Sequence, residues 1–397
     1  MLPLLRSETP FGVDPLGFAG AHLSAGAASA LTRLDEVLTR EVHPQLAQAW
    51  DSATLPASVL DPLIALDLMH PDGVDAAEAD SSMFSGWRNY VLARTDVSVA
   101  TAYNAQSGLF RTAVRLGGSA QQAASLDDDV ASFRTRGVFA LTEPAHGSDV
   151  AGGLATTAKR VGDTWVIDGA KRWIGGADAA DLLAVFARDV ADGQVKAFLV
   201  PRTAPGVTLS RIEGKVSLRP MQNFDITLDD VRVDEGSRLQ RVDAWRDVAR
   251  ILRAMRSDVA WIATGLQAGA MDAALRYVRE RQQFGRPLGG FQLVQEKLAR
   301  MLGNLTSSLG IVTRLSAAQD AGDLRDETSA LAKMQTALLA RETVALAREV
   351  QGGNGILLDH DAARFFADAE AVYSYEGTHD ITALIVGRAL TGESAFV

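Results

Sequence analysis

The sequence predicts an α+β protein, mainly α. It has an N-terminal α-helical domain (1–135), a central antiparallel β-barrel or sandwich domain (136–244) and a C-terminal four-helix bundle (245–397). Three observations predict this. Stretches rich in Ala, Leu and Arg, with apolar residues at helical spacing, lie at both ends of the chain. Between them, short apolar runs alternate with polar turns, the pattern of antiparallel sheets. The order helices, strands, helices argues against a single doubly wound sheet, which needs the two to alternate.

In the first region, Ala25 to Leu46 and Ser85 to Leu109 read as helices. Pro56, Pro62, Pro71-Asp72-Gly73 and Gly117-Gly118 mark the connections. The pattern changes near Gly137. Thr164-Trp165-Val166-Ile167 reads as a strand closed by a turn at Asp168-Gly169. Leu182 to Ala187 and Val195 to Val200 are short apolar strands, and Phe224 to Leu228 alternates with period two. Helical character returns near Trp245. Asp258 to Gln283 is long and amphipathic, and Phe291 to Ala321 and Asp326 to Gln351 follow, with breaks at Gly322 and Gly352-Gly353. Long helices with short connections form bundles.

Composition narrows the function. Hydrophobic residues make up 47% and charged residues 22%, which suits a globular chain with a large core. The net charge of −10 disfavours bulk nucleic-acid binding, because phosphate backbones attract basic proteins. There is no cysteine, so disulfides, thiolate catalysis and thiolate-held metals are excluded. The six histidines form no zinc spacing, and no metal is expected. Met1-Leu2-Pro3-Leu4-Leu5-Arg6 lacks the features of a secretory signal, and no apolar run is long enough to span a bilayer. A cytoplasmic protein without membrane insertion is the expectation.

Five segments hold chemistry-bearing residues. Leu141-Thr142-Glu143-Pro144-Ala145-His146-Gly147-Ser148-Asp149 gathers hydroxyls and turn formers where helices give way to strands. Such a loop directs N–H groups and hydroxyls toward an anion; ordinary turn chemistry at a domain junction is the competing reading. Lys171-Arg172-Trp173-Ile174-Gly175-Gly176 sets a large aromatic beside a glycine pair, either to cover a planar cofactor or simply packed. Arg279 to Pro287 closes a helix with cations, which complement its dipole or bind phosphate. Gly352-Gly353-Asn354-Gly355 allows close backbone approach to a pyrophosphate, or is a helix C-cap; it follows no strand and is not a Rossmann fingerprint. In Tyr373 to Ile381, Glu376 precedes a glycine turn and an apolar helix that Thr378 is placed to cap. In an apolar cleft Glu376 would be a strengthened base; on the surface it would be an ordinary solvated carboxylate.

Together these segments strongly resemble the acyl-CoA dehydrogenase superfamily, in the family's order and with its separations. The resemblance runs from about residue 85 to the C-terminus. The stretch from Tyr375 to Gly392 looks most like glutaryl-CoA dehydrogenases and plant-type short-chain acyl-CoA oxidases. The resemblance implies FAD as cofactor, an acyl-CoA thioester as substrate and a trans-2-enoyl-CoA as product. It implies Glu376 as the base that removes the α-proton while the β-hydride goes to flavin N5. The backbone N–H of Glu376 and a flavin ribityl hydroxyl would bond the thioester oxygen. It places groups around Phe139, Leu141, Thr142 and Ser148 on the flavin and its phosphates, with Trp173 against the ring. Arg281, Phe284, Gly352 and Gly353 would reach the FAD of a neighbouring subunit, Thr378 is a further FAD contact, and Arg256 lies near the CoA moiety. A homotetramer (or homodimer) is implied, with electron-transfer flavoprotein or O2 as acceptor.

Departures from the family pattern refine this. Ala100 occupies the position where glutaryl-specific enzymes carry an Arg for the distal carboxylate, so no glutaryl-CoA decarboxylation is expected. Gly175 stands where many dehydrogenases place a Thr hydroxyl on flavin N5, and the plant-type oxidases also have Gly there. A short-chain acyl-CoA oxidase is therefore the alternative enzyme. From another class, the alternative is a flavin-containing nucleic-acid-associated binding protein, which the net charge opposes. Glu349 replaces a common Gln, Asp380 is variable, and His146 stands where a small residue is typical.

Overall fold

A computed structural model describes residues 9–395; the segment Met1–Arg6 read above lies outside the described residues. The fold is mainly helical with a sheet in the middle of the chain, as the sequence predicts. The chain divides into two compact units. One takes the residues up to Thr101, Val216–Pro220 and the residues from Arg256 onward; the other takes Ala102–Lys215 and Met221–Met255.

The first unit is helical. Ala25–Val37 begins at Ser24, whose hydroxyl accepts the Ala27 N–H. The helix expected to continue to Leu46 does not run straight. It widens to a π-turn at Leu38–Val42, tightens over His43–Gln45 where Pro44 has no N–H to give, and resumes at Leu46–Ser52. The helix expected over Ser85 to Leu109 is likewise divided, into Ser82–Thr95 and Val97–Asn104 with a wider turn after. Asp96 breaks it: its backbone is extended and its carboxylate accepts the Ser98 and Val99 N–H groups at 2.9 and 3.2 Å.

An aromatic cluster fills this unit's core. Trp87 packs 5.1 Å from Phe11 and 5.0 Å from Trp261. Gly86 lets Ser82–Thr95 approach so closely, since a Cβ there would lie 2.1 Å from Trp261 Nε1. Gln292–Asp320, Ala362–Ser374 and His379–Thr391 all pack on Asp326–Val350. The helix expected from Asp258 starts earlier, at Trp245, because Val248, Ile251 and Met255 continue its apolar stripe and are buried in one cluster with Phe110, Val114 and Leu239.

The second unit holds a seven-stranded sheet. Its strands are β1 (Gly137–Ala140), β2 (Thr157–Val161), β3 (Thr164–Gly175), β4 (Leu182–Asp189), β5 (Val195–Pro201), β6 (Val207–Arg211) and β7 (Asn223–Asp234). The order is β1-β4-β2-β3-β7-β6, with β5 also on β4. Hairpin-connected neighbours are antiparallel, but β1 and β2 both pair parallel with β4, which the expectation of an antiparallel domain did not contain. The expected turn at Asp168-Gly169 is a bulge inside β3: the register shifts there, and Gly169 (φ +151°) faces Thr156 with no room for a Cβ.

Candidate active site

The segment from Tyr373 to Thr378 joins two helices. Ala362–Ser374 ends at an extended Tyr375, and Thr378 caps His379–Thr391 by accepting the Ile381 N–H at 3.3 Å. The cap read from the sequence is present. Between them Glu376 has φ +50° and Gly377 φ +98°. A glycine takes such a φ freely, whereas for Glu it costs on the order of 1–3 kcal/mol and persists only where the surroundings hold it.

Those surroundings are specific. Lys333, fully buried in Asp326–Val350, donates to the carbonyls of Tyr373 at 2.9 Å and Gly377 at 2.7 Å. The Tyr373 ring stacks on His379 with centroids 4.6 Å apart, and the Arg341 guanidinium covers it at 4.4 Å. Glu376 itself is half-buried, and its Oε2 is shielded from solvent with no hydrogen-bond partner. Burial, reinforced by the charge of Asp258, pushes its carboxyl up to about 8, against the opposing pull of Lys333 and Arg256. Burial lowers Lys333 to about 8, with Glu376 opposing and Arg256 adding to the fall. Asp258 accepts a hydrogen bond from buried Asn89 at 3.2 Å. The first unit thus brings Glu376 and Arg256 together, and adds Lys333 and Asp258, which the sequence reading did not single out.

Arg281, Phe284, Gly352 and Gly353 lie on the exposed surface of the same unit. Phe284 is 92% exposed at φ +52°, its ring edge-on to Phe291. Gly352 follows the end of Asp326–Val350 at φ +57°, so the glycine pair does end a helix. Glu349 pairs with Lys297 at 3.3 Å.

The second unit builds the loop after β1. Glu143 is buried, accepts the Ala155 and Thr156 N–H groups at 2.6 and 2.9 Å, and meets the ammonium of fully buried Lys171 at 2.8 Å. Lys171 also donates to the Leu141 carbonyl at 3.2 Å, and the Arg172 N–H donates to that of Thr142 at 2.8 Å. The loop is therefore pinned to β3. Burial lowers Lys171 to about 8, with Glu143 opposing. The Leu141 side chain packs inward, Phe139 lies 4.7 Å from Phe186, Thr142 is half-buried and Ser148 exposed. His146, unexplained by the sequence, bonds Asp149 through Nδ1 at 2.8 Å.

A second bulge in β3, between the pairs Lys171–Ile226 and Ile174–Phe224, turns Trp173 outward. Its φ is +67° and the residue is 52% exposed, with the Arg172 guanidinium over its ring at 5.1 Å. A Cβ at Gly175 would lie 2.4 Å from Met221 Cε, so the methionine methyl fills the space a Thr would take. An exposed ring face, nearby hydroxyls and the backbone of a pinned loop suit a planar heterocycle bearing phosphates. Among the described residues no His, Asp or Glu cluster is arranged to hold a metal, and no helix is long and apolar enough to cross a membrane.

Residues 138–231 match the family described as acyl-CoA dehydrogenase, middle domain, and residues 244–391 its C-terminal domain. The mitochondrial short-chain specific acyl-CoA dehydrogenase of Bos taurus is 30% identical over 354 residues, covering 87% of this chain and 85% of that protein. The chain belongs to the acyl-CoA dehydrogenase family. Its members are oxidoreductases, and the fold agrees with theirs. A crystal structure of glutaryl-CoA dehydrogenase from Mycobacterium smegmatis superposes with TM-score 0.88 at 33% identity, over 95% of this chain and 97% of that one. A glutaryl-CoA dehydrogenase from the same organism, in complex with FADH2, gives 0.90 at 27% identity over 98% and 100%.

Proposed function

We propose that this acyl-CoA dehydrogenase family member removes the α-proton and β-hydride of an acyl-CoA thioester, with Glu376 as base and a trans-2-enoyl-CoA as product. The observation that carries the reading is Glu376 itself. A strained backbone presents a carboxylate whose Oε2 is shielded and unpartnered, with a proton affinity raised toward neutrality. Such a group has little to do structurally, and its affinity suits general-base work, which is most effective near the operating pH.

An α-proton next to a thioester is weakly acidic, so its removal needs a placed base and donors for the enolate-like oxygen. Glu376 takes the proton, and its backbone N–H donates to the thioester oxygen. Arg256 draws the CoA portion in and favours the ionised base. FAD is the cofactor and supplies, when bound, the two-electron acceptor for the β-hydride. Trp173 covers its ring system; the loop from Phe139 through Leu141 and Thr142 to Ser148 offers backbone and hydroxyl donors. Thr378 is a further FAD contact. Exposed Arg281, Phe284, Gly352 and Gly353 serve the FAD of a second subunit in a homotetramer or homodimer.

Ala100 is fully buried in Val97–Asn104 and places no cation there. A glutaryl substrate would thus lack the guanidinium partner for its distal carboxylate, and no carbon dioxide should be released from glutaryl-CoA. Electrons pass to an electron-transfer flavoprotein. The alternative is an oxidase that passes them to O2, because Gly175 supplies no hydroxyl where many dehydrogenases of the family have Thr. The test is anaerobic mixing of the flavin-loaded protein with acyl-CoA esters. Bleaching of the flavin absorption supports the reading, and its absence with every chain class would contradict it.

A further inference from the structure

We propose that Lys333 is a positioning residue for α-proton abstraction: its ammonium ties the two ends of the Tyr373–Gly377 turn together and holds Glu376 in the backbone conformation that aims its carboxylate. The inference rests on the function proposed above for Glu376.

Lys333 has no solvent exposure, yet neither of its two hydrogen bonds goes to a carboxylate. Both go to main-chain carbonyls, Tyr373 at 2.9 Å and Gly377 at 2.7 Å, which bracket Glu376 on either side. Burying an ammonium without a contacting anion is costly, and an apolar residue would pack this helix face more cheaply. The cost has a counterpart in the turn. Glu376 sits at φ +50°, and its Oε2 finds no partner, so no hydrogen bond at that oxygen helps set its aim. The direction of the carboxylate therefore follows from the backbone, and the backbone is held where Lys333 grips it. A residue that fixes the Tyr373 and Gly377 carbonyls ties down the two ends of the segment that carries the base and limits how far that segment can reorient.

The same ammonium contributes charge. Glu376 is acted on by Asp258, which favours its protonated form, and by Lys333 and Arg256, which favour the carboxylate. Lys333 is acted on in turn by Glu376 and Arg256, and the neighbouring Tyr375 by Glu376, Asp368 and Asp258. Without the ammonium, Asp258 acts against Arg256 alone, and Glu376 holds its proton to higher pH.

The experiment compares the FAD-loaded full-length wild type with Lys333→Met, Lys333→Gln and Lys333→Arg. Two readouts are taken: anaerobic flavin bleaching by an acyl-CoA across pH, and α-hydrogen–deuterium exchange of a 3-thia-acyl-CoA in D2O. The second, read by mass spectrometry, reports the base without any hydride transfer. Lys333→Met should lose about 100-fold in both rates, the scale of a misplaced catalytic group, with KM little changed. Its acid limb should move to higher pH. Lys333→Gln, which keeps a donor but no charge, should show the same upward limb with a smaller rate loss. Lys333→Arg should keep the wild-type limb and lose rate. Variants that retain flavin with wild-type rates and limbs, and differ only in melting temperature, would overturn the assignment. Loss of fold in all three would do so as well, since the role would then be structural. If the wild type itself neither bleaches nor exchanges, it is the proposed function that fails; an active wild type beside indifferent variants sinks the Lys333 role alone.

Discussion

Replacing Glu376 by Gln keeps the side chain's shape and removes its charge, which exposes the cost of holding an ionised base in this turn. Burial and Asp258 raise its carboxyl from 4.5 to about 8. At ~1.36 kcal/mol per pKa unit, that amounts to roughly 4–5 kcal/mol at most. Partial solvent access reduces the figure, and so does Lys333, whose ammonium loses its partner in the variant. The sign follows from linkage. The folded protein binds this proton more tightly than the unfolded chain does. The resulting stabilisation is fully present below the unfolded value of 4.5 and is lost as pH rises through about 8. Glutamine never ionises, so Glu376→Gln should melt near the wild type at about pH 5 and gain on it steadily toward about pH 9. Differential scanning calorimetry of flavin-loaded protein across that range reads the difference. In the same variant anaerobic flavin bleaching should slow by more than the ~10²–10⁴ typical of acid–base catalysis. A melting difference that ignores pH, together with wild-type bleaching, would refute the reasoning on both counts.

Further outcomes follow from neighbouring residues. Asp258→Asn removes the carboxylate that raises Glu376, so the acid limb of flavin bleaching should move to lower pH; an unmoved limb would show that the two groups do not communicate. Lys171→Met leaves Glu143 buried without its ammonium, a loss of about 3–5 kcal/mol for a broken buried pair, and should lower both the melting temperature and the flavin content of purified protein. A variant with full flavin and unchanged melting would mean the loop after β1 does not depend on that pair. Gly175→Thr must displace the Met221 methyl, the far end of a flexible side chain, and should cost only about 1 kcal/mol. Met221→Ala, which truncates a buried side chain, should cost less in the Gly175→Thr background than alone in thermal melts, and an equal cost would show that the two side chains do not meet.

Two of the long C-terminal helices were legible to within a residue, whereas the first begins well before the expected Asp258. Gln292–Asp320 and Asp326–Val350 lie almost where the periodicity places them, because a 3.6-residue repeat over many turns leaves little ambiguity. The breaks at Leu38–Gln45 and Asp96 were not read, since the apolar repeat continues through both. Asp168-Gly169 reads as a turn but is a bulge, because what requires glycine there is Thr156 across the sheet. Parallel pairing of β1 and β2 with β4 has no local signature. At the site, Glu376, its glycine and the Thr378 cap form one short segment and were readable together. Lys333 and Asp258 were not. They come from other helices, and nothing in their own surroundings in sequence marks them; only tertiary packing brings them to Glu376. Glu143 was visible within its motif, but its burial against Lys171 of β3 was not.

The most direct measurement is anaerobic titration of the purified, flavin-loaded protein with acyl-CoA esters of increasing chain length, followed in the visible spectrum and completed by admitting air. The account predicts bleaching by one chain class in the wild type and none on the same timescale in Glu376→Gln, with slow recolouring in air for a dehydrogenase and prompt recolouring with peroxide for an oxidase. A flavin that no thioester bleaches, or one that bleaches equally in Glu376→Gln, would contradict it.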